Sequence, residues 1–333
     1  MKKRIIILFY SVMIAGLAEA QSYHFSQFFS TPLLTNPANT GFTEGPYRLA
    51  SNFRSQGMQG GNAYFTGYIS GDISPFRNVL AKNNKAGLGL YIMNDQALGG
   101  ALQTNTIGLS AAYSVALDEY GDHNIGVGFQ GTYNQRRIDY SKLTFENQYS
   151  PGGYNPGAPV GEPLDYTNKH FMDVNAGIAY NALLEDRSYF FGASVYNILQ
   201  HKESMISDDF KLPTRVVVQA GAQFFSGTYG KVYFSATGMV QAKAMETTVG
   251  AAYGHQLTDD GEKNELMFGM WYRYKDALIP YVGYQVKAVQ VGLSYDYTVS
   301  ALKTGAQVRN GYELTLLYKA IDKRELKTLI PWY

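Results

Sequence analysis

Apolar and polar side chains alternate along most of this chain, most regularly near its end. Between Val289 and Ser300, every odd position carries an apolar or aromatic residue, and every even position carries glycine or a polar residue. Successive side chains of a β-strand point to opposite faces of the sheet. The pattern therefore predicts a strand of which only one face is apolar.

The same alternation recurs back to residue 47 and predicts about fourteen strands, each near the ~9–11 residues that cross a bilayer. The expected strands lie near 47–56, 62–72, 85–94, 103–117, 123–135, 170–181, 188–197, 214–225, 230–240, 245–256, 264–274, 278–286, 288–299 and 307–319. We predict an all-β fold: a transmembrane antiparallel β-barrel of about 14 strands, preceded by an N-terminal segment that is not a strand.

The composition indicates that the apolar face meets a lipid bilayer. A soluble sandwich would need charge on its outer face, yet only 17% of the residues are charged. The chain instead holds 35 Gly, 28 Tyr and 18 Phe. This mixture is typical of strands with an apolar outside, a polar inside and aromatic rings at the membrane interface.

An even number of strands places both ends of the barrel, and with them both chain termini, on the periplasmic side of an outer membrane. Outer-membrane barrels have short periplasmic turns and longer external loops. The two longest predicted connections, 136–169 and 198–213, fall outside, whereas 118–122, 226–230 and 259–261 are expected periplasmic turns. The longest loop is rich in Gly and Pro, which fits a flexible surface loop or a lid that binds a partner or closes the lumen.

The first twenty residues have the pattern of a secretory signal peptide. Basic residues at 2–4 precede a largely apolar stretch at 5–17, and Ala18-Glu19-Ala20 offers a small-x-small cleavage site. We therefore expect export through a cleaved signal peptide and a multi-pass barrel in the outer membrane.

The chain is expected to have four parts. These are a signal peptide at 1–20, an N-terminal segment at 21–44 (a possible plug or periplasmic contact), the outer-membrane barrel at 45–319, and a periplasmic tail at 320–333. Asn36-Pro37 and Gly41 interrupt any strand in the second part.

Nothing in the sequence predicts catalysis, a metal site or a cofactor. The chain has no cysteine, its five histidines show no metal-ligand spacing, and no Ser/His/Asp constellation can be assembled. The acidic pairs at 208–209 and 259–260 lie in predicted loops, where solvation is the simpler explanation than calcium binding. A net charge of +1 gives no reason to expect nucleic acid as a partner.

One charged group is predicted to point into the lumen at the closing seam. Arg48 and Arg54 share the polar face of the first strand, and Asp296 and Glu313 share that of the last two strands. Barrel closure pairs the first strand with the last, so we expect both arginines near Glu313 and Asp296. The cluster either pins the seam through ion pairs or docks the N-terminal segment as a plug.

The N-terminal segment carries a motif made up of Phe25, Ser26, Gln27, Phe28, Pro32, Asn36, Pro37 and Gly41. Two further blocks are Arg48 with Phe53-Arg54-Ser55-Gln56, and Leu293-Ser294-Tyr295-Asp296-Tyr297-Thr298 with Ser300. Together they resemble the signatures of the PorP/SprF family, outer-membrane proteins associated with the type IX secretion system of Bacteroidetes. The chain departs from the family pattern at Gly57, usually Trp, and at Tyr312, commonly His.

The resemblance implies a non-enzymatic barrel of the secretion and gliding-motility apparatus. Its implied partners are periplasmic ring and lipoprotein subunits and a secreted surface protein held at the cell surface through a C-terminal domain. A lumen face rich in Gly and Ala fits this role better than solute binding. The alternative is a passive channel or transporter for a small or hydrophobic solute.

Overall fold

Fourteen antiparallel strands form one closed barrel within the part of the chain that the structure describes. A computed structural model describes residues 25–57, 63–76, 80, 83–161, 168–201, 211–258, 264–300 and 310–320. Each strand pairs with its neighbours in sequence, and the first pairs with the last. The predicted all-β barrel and its N-terminal non-strand segment are confirmed.

Each of the fourteen expected segments overlaps one barrel strand. The strands are β1 Tyr47–Gln56, β2 Tyr64–Ile73, β3 Lys85–Ala97, β4 Leu102–Ala116, β5 His123–Ile138, β6 Asn168–Leu183, β7 Arg187–Tyr196, β8 Arg215–Ser226, β9 Gly230–Gln241, β10 Ala244–Gln256, β11 Asn264–Arg273, β12 Ala277–Val286, β13 Val289–Thr298 and β14 Gly311–Lys319. Strands β3, β5 and β6 extend by two or three residues beyond the predicted bounds, and β14 begins at Gly311 where the prediction began at 307; residues 307–309 lie outside the described residues.

The two faces of each strand meet different surroundings. On β4 and β5, outward side chains such as Leu109 and Phe129 are 65% and 64% exposed, whereas the intervening Ser110 and Gln130 are buried. An apolar outer surface of this kind matches the hydrocarbon of a bilayer, and the inward face carries the polar groups.

We call the two ends of the barrel the loop end and the turn end. The long connections 139–167 and 197–214 lie at the loop end, with short helical turns at Leu98–Gly100, Tyr140–Lys142 and Glu146–Gln148 and a small hairpin of Tyr149–Ser150 with Gly153–Tyr154. The turn end holds the start of β1 and the end of β14.

The connection between β4 and β5 shows how the turn end is closed. The Asp118 carboxylate accepts hydrogen bonds from the backbone N–H groups of Tyr120, Asp122 and His123, at 2.6–2.9 Å. These donors, that of Asp122 foremost, hold the pKa of the Asp118 carboxyl below its usual range. A short acidic sequence thus forms a stable turn.

Three short helical turns make up the middle of the N-terminal segment: Phe28–Ser30, Pro32–Thr35 and Pro37–Asn39. Every residue from 25 to 43 is buried. Among the described residues, no helix is long and apolar enough to cross a membrane. The expected signal peptide at 1–20, the turn at 259–261 and the tail beyond Ala320 lie outside the described residues.

Candidate functional site

The N-terminal segment, residues 25–43, lies inside the barrel and runs along its axis. Near the loop end, the Ser26 hydroxyl donates to Asp296 of β13 at 2.6 Å. Near the turn end, the Gly41 N–H donates to Asp72 of β2 at 2.7 Å. The segment therefore runs opposite to β1. The even strand number brings the start of β1 and the end of β14 to the same end of the barrel, as expected. The described chain starts near the opposite end, and the N-terminus itself lies outside the described residues.

The loop end of the lumen holds a group of buried charges that we call the outer cluster: Arg54, Arg273, Asp296 and Glu313. Arg54 Nη2 lies 2.8 Å from Asp296 Oδ2, and Arg273 Nη2 lies 2.9 Å from the same oxygen. Arg54 Nε is 3.9 Å from Glu313 Oε2. All four side chains are at most 3% exposed. Four strands are thus tied together by ions that are costly to bury unless paired.

The outer cluster also binds the N-terminal segment. Glu313 accepts the backbone N–H groups of Ser26 and Gln27 at 2.7 and 2.8 Å. Arg273 Nη2 donates to the Ser26 hydroxyl at 2.6 Å. The two roles considered for this cluster, holding the seam and docking the segment, therefore involve the same carboxylates.

A second ionic contact lies near the turn end, and we call it the inner pair: Arg48 and Asp72. Arg48 Nε and Nη2 donate to the two carboxylate oxygens at 3.0 and 2.8 Å. Arg48 Nη2 also donates to the carbonyl of Asn39, at 2.9 Å. This bidentate geometry is the strong form of an arginine–carboxylate contact.

Arg48 does not join the outer cluster, so the expectation that it would lie near Glu313 is wrong. In the β1–β14 register Arg54 faces Glu313, whereas Arg48 faces Lys319. Six residues along a strand separate the two arginines by about 20 Å. The partner of Arg48 comes from β2, where Asp72 lies directly opposite it.

One wall of the lumen is lined with glycine and follows the backbone of the segment. A Cβ atom at Gly128 would overlap the carbonyl of Pro37, and one at Gly177 would overlap the side-chain oxygen of Asn36. Gly87 and Gly41 face each other so closely that neither has room for a side chain. The glycine wall is formed by Gly87, Gly89, Gly128, Gly177 and Gly192. Glycine is needed here because two backbones approach each other.

The opposite wall is aromatic, and there the expectation of a small-residue lumen face does not hold. Phe29 packs against Trp271 and Tyr281, with ring centroids 5.0 and 5.6 Å apart. Tyr233 and Met267 complete a buried cluster with these rings. Burying large aromatic rings, some in edge-to-face pairs, contributes strongly to stability. This wall fills the lumen with side chains, whereas the glycine wall leaves room for the segment.

Polar side chains of the barrel bind the backbone of the segment between its two ends. Gln130 Nε2 donates to the Leu33 carbonyl at 2.8 Å. The Thr35 carbonyl accepts from Ser194 Oγ at 3.1 Å and from Gln219 Nε2 at 2.5 Å. A buried carbonyl without a donor would be costly, so these bonds fix the path of the segment.

The residues of the family motif shape this path. Asn36 accepts the N–H of Ala38 at 2.9 Å and donates to the Ile178 carbonyl at 3.0 Å, so one side chain caps a helical turn and anchors it to β6. Gly41 adopts a φ of 68°, which favours glycine.

The aromatic and proline residues of the motif serve packing and chain direction. Phe25 contacts Tyr68 with ring centroids 6.0 Å apart, and Phe28 contacts Phe29 at 5.5 Å. Pro32 and Pro37 each begin a helical turn, the position that proline favours.

Three residues that the sequence did not single out complete the site: Asp72, Arg273 and Trp271. Asp72 lies in the predicted strand 62–72, which follows the strand that carries Arg48. This adjacency could have indicated Asp72 as the partner of Arg48. Arg273 and Trp271 share the face of β11 that also carries Glu265, whereas the opposite face is largely apolar, so the alternation was the signal that places both inside. Among the described residues, no group of three or more His, Cys, Asp or Glu side chains could hold a metal ion.

The class of this protein follows from its fold, and its family follows from its sequence. A closed barrel with an apolar outer face and a polar, occupied lumen defines a membrane β-barrel protein. The family model described as "Type IX secretion system membrane protein PorP/SprF" matches residues 17–318. The chain belongs to the PorP/SprF family, and its place is the outer membrane. No protein with a curated function matched the sequence.

Several solved barrels resemble the fold at low sequence identity. The Pseudomonas putida toluene transporter TodX is 8% identical, with a TM-score of 0.48, over 88% of this chain and 94% of that one. A Pseudomonas aeruginosa FadL homologue is 10% identical, with a TM-score of 0.46, over 87% and 94%. BamA from Haemophilus ducreyi lacking POTRA domains 1–3 is 8% identical, with a TM-score of 0.42, over 83% and 70%.

Proposed function

We propose that this protein is a non-catalytic outer-membrane barrel of the type IX secretion and gliding apparatus, which anchors or assembles secreted surface proteins and contacts the periplasmic machinery. The observation that carries this proposal is the occupied lumen. Residues 25–43 are buried along the barrel axis and are held at both ends by buried carboxylates. A barrel filled by its own chain is suited to holding partners at its two ends.

The loop end offers the surface for a partner outside the cell. The connection between β5 and β6 carries two tyrosines in contact, Tyr149 and Tyr154, whose rings are tilted by 42° with centroids 5.2 Å apart. They are 59% and 47% exposed. Exposed aromatic side chains are enriched at protein interfaces. In the orientation usual for outer-membrane barrels, this end faces the outside.

The turn end is the proposed contact for periplasmic components. It carries the exposed Tyr120, 77% exposed, next to the Asp118 turn. Glu185 and Asp186 add exposed acidic groups to the same end. The two ends thus present different chemistry to partners on the two sides of the membrane.

The test is gentle extraction of the barrel, tagged at its C-terminus, from native outer membrane, with mass spectrometry of the proteins that co-purify. We expect type IX components together with a secreted surface protein. Replacing Tyr149 and Tyr154 by Ala should remove the surface protein and retain the periplasmic components, whereas Tyr120→Ala, at the other end, should retain the surface protein and reduce recovery of the periplasmic components. A barrel that emerges alone from several detergents would contradict the proposal.

Conductance in planar bilayers separates this proposal from a passive channel or transporter. The buried segment argues for low conductance, because it fills the lumen between the glycine and aromatic walls. Steady conductance of the intact chain, combined with the absence of co-purifying partners, would favour the channel.

A further inference from the structure

The closing seam joins the first strand to the last, so no hairpin turn sets the register of β1 and β14. On the outer face, β1 presents Leu49 and Phe53, and β14 presents Leu314 and Leu316. A slip by one residue would turn these apolar side chains inward. A slip by two would keep every side chain on its own face, so alternation alone does not select the observed register.

Glu313 is the point at which the register becomes specific. Its carboxylate accepts Asn52 Nδ2 of β1 at 2.8 Å and the N–H groups of Ser26 and Gln27. Arg54 of β1 lies opposite it. Glu313 is 1% exposed, so a displaced register would leave a buried carboxylate without these donors.

Gln27 of the segment adds a second link to the strands at the seam. Its side-chain nitrogen donates to Ser294 Oγ of β13 and to the Glu313 carbonyl of β14, both at 3.1 Å. Its side-chain oxygen accepts from Thr315 Oγ1 at 2.7 Å. These hydrogen bonds from Gln27 therefore fix the position of β14 relative to β13.

The enclosed position of the segment constrains the order of assembly. Its leading end lies near the loop end and its attachment to β1 lies at the turn end, so entry into a finished barrel would require threading. Phe25, Phe28 and Phe29, which are buried in the assembled barrel, would have to cross the length of the lumen past the buried ions near its turn end. Docking before the seam closes requires no such passage.

We propose that the N-terminal segment is the template for barrel closure: it docks in the lumen first, and β1 and β14 then pair around it in the register that Glu313 selects. The segment is thereby an assembly element of the barrel as well as its filling. Its function in closure is independent of which partners the finished barrel binds.

The order of events can be followed with cysteine pairs, because the natural chain contains no cysteine. The pair Thr40→Cys with Ser110→Cys reports docking, since the two hydroxyl oxygens lie 2.9 Å apart. The pair Ser51→Cys with Leu316→Cys reports closure, since the residues are register partners on the outer face. In pulse-labelled cells sampled with an oxidant, the docking cross-link should form before the closure cross-link or together with it.

A matched pair of substitutions on β5 tests whether barrel closure depends on docking of the segment. Gly128→Val places a side chain where Pro37 lies, whereas a Cβ at Gly131, on the same strand, has no atom within 4 Å. Gly128→Val should slow the closure cross-link about tenfold and allow a slipped cross-link between Ser51→Cys and Leu314→Cys, whereas Gly131→Val should behave as the natural chain.

Two results would overturn the proposal. One is a closure cross-link that forms before the docking cross-link in the otherwise natural chain. The other is native-register closure of the Gly128→Val variant at the natural rate while its docking cross-link is absent. The first measurement needs no destabilising variant, so it decides the matter even if Gly128→Val fails to assemble.

Discussion

The outer cluster and the inner pair both hold the N-terminal segment in the lumen, but they differ in the number of charged groups that share this role. At each, a carboxylate accepts a backbone N–H of the segment and an arginine of β1 lies beside it. In the outer cluster, Arg54 and Arg273 share the Asp296 carboxylate, and Arg54 also lies beside Glu313, so the ions come from four strands. The inner pair has one arginine and one carboxylate on adjacent strands. We therefore expect the inner pair to be the more sensitive to loss of a single side chain.

The distance between these two sites also explains the shape of the segment. Arg48 and Arg54 are about 20 Å apart along β1, and the segment covers a similar distance with the residues from Ser26 to Gly41. That corresponds to a rise of roughly 1.3 Å per residue, close to that of a helix and far below that of a strand. Helical turns, and not an extended strand, are what fit between the two anchors.

Arg48→Ala should have the largest effect. It leaves Asp72 buried with the Gly41 N–H and no cation, a loss of about 3–5 kcal/mol in the free energy of unfolding. Urea unfolding in lipid vesicles measures this loss. The double variant Arg48→Met with Asp72→Asn removes both charges and should recover more than half of it. If Arg48→Ala alone costs less than Arg54→Ala, the comparison between the two sites is wrong.

Gly41→Ala should come next, at about 2–4 kcal/mol, because a positive φ and close packing both oppose a side chain. Gly227 has a similar φ of 71° and no atom near its Cβ position, so Gly227→Ala isolates the backbone strain. The difference between the two variants in urea unfolding measures the contact with Gly87. Equal losses would show that this contact carries no stability.

Arg54→Ala should cost about 1–3 kcal/mol. Arg273 remains on Asp296, and Glu313 keeps Asn52 and the two N–H groups. Limited proteolysis compares the two ends of the segment: Arg54→Ala should expose the residues near Ser26 to protease and leave Gly41 protected. Protease entry at both ends would mean that the two anchors are not independent.

Thr315→Val should have the smallest effect, about 0.5–1.5 kcal/mol, because it removes only neutral hydrogen-bond contacts: the bond to Gln27 and a longer one to the Gly292 carbonyl. Thermal unfolding monitored by electrophoretic mobility of the unheated barrel detects a change of this size. A loss as large as that of Arg54→Ala would indicate that Gln27, and not the charge cluster, holds this end of the segment.

The barrel could be predicted from the sequence because alternation acts over every strand and is imposed by the lipid outside. The lumen could be predicted only in part. Arg54 was paired with its partners because barrel closure fixes β1 beside β14, whereas Arg48 was assigned to the wrong strand because a strand has two neighbours. On β11, Glu265 and Arg273 mark the inward face, but the alternation alone does not predict that Trp271 of the same face packs against the segment.

The direction of the segment has a practical consequence for topology. Its described start, at Phe25, lies near the mouth opposite to the one where β14 ends. A short epitope inserted ahead of Phe25 would therefore report on a different compartment from one attached after Ala320. In a barrel with an even number of strands, the two labels would ordinarily mark the same side of the membrane; here the first strand is preceded by a pass through the protein's own interior.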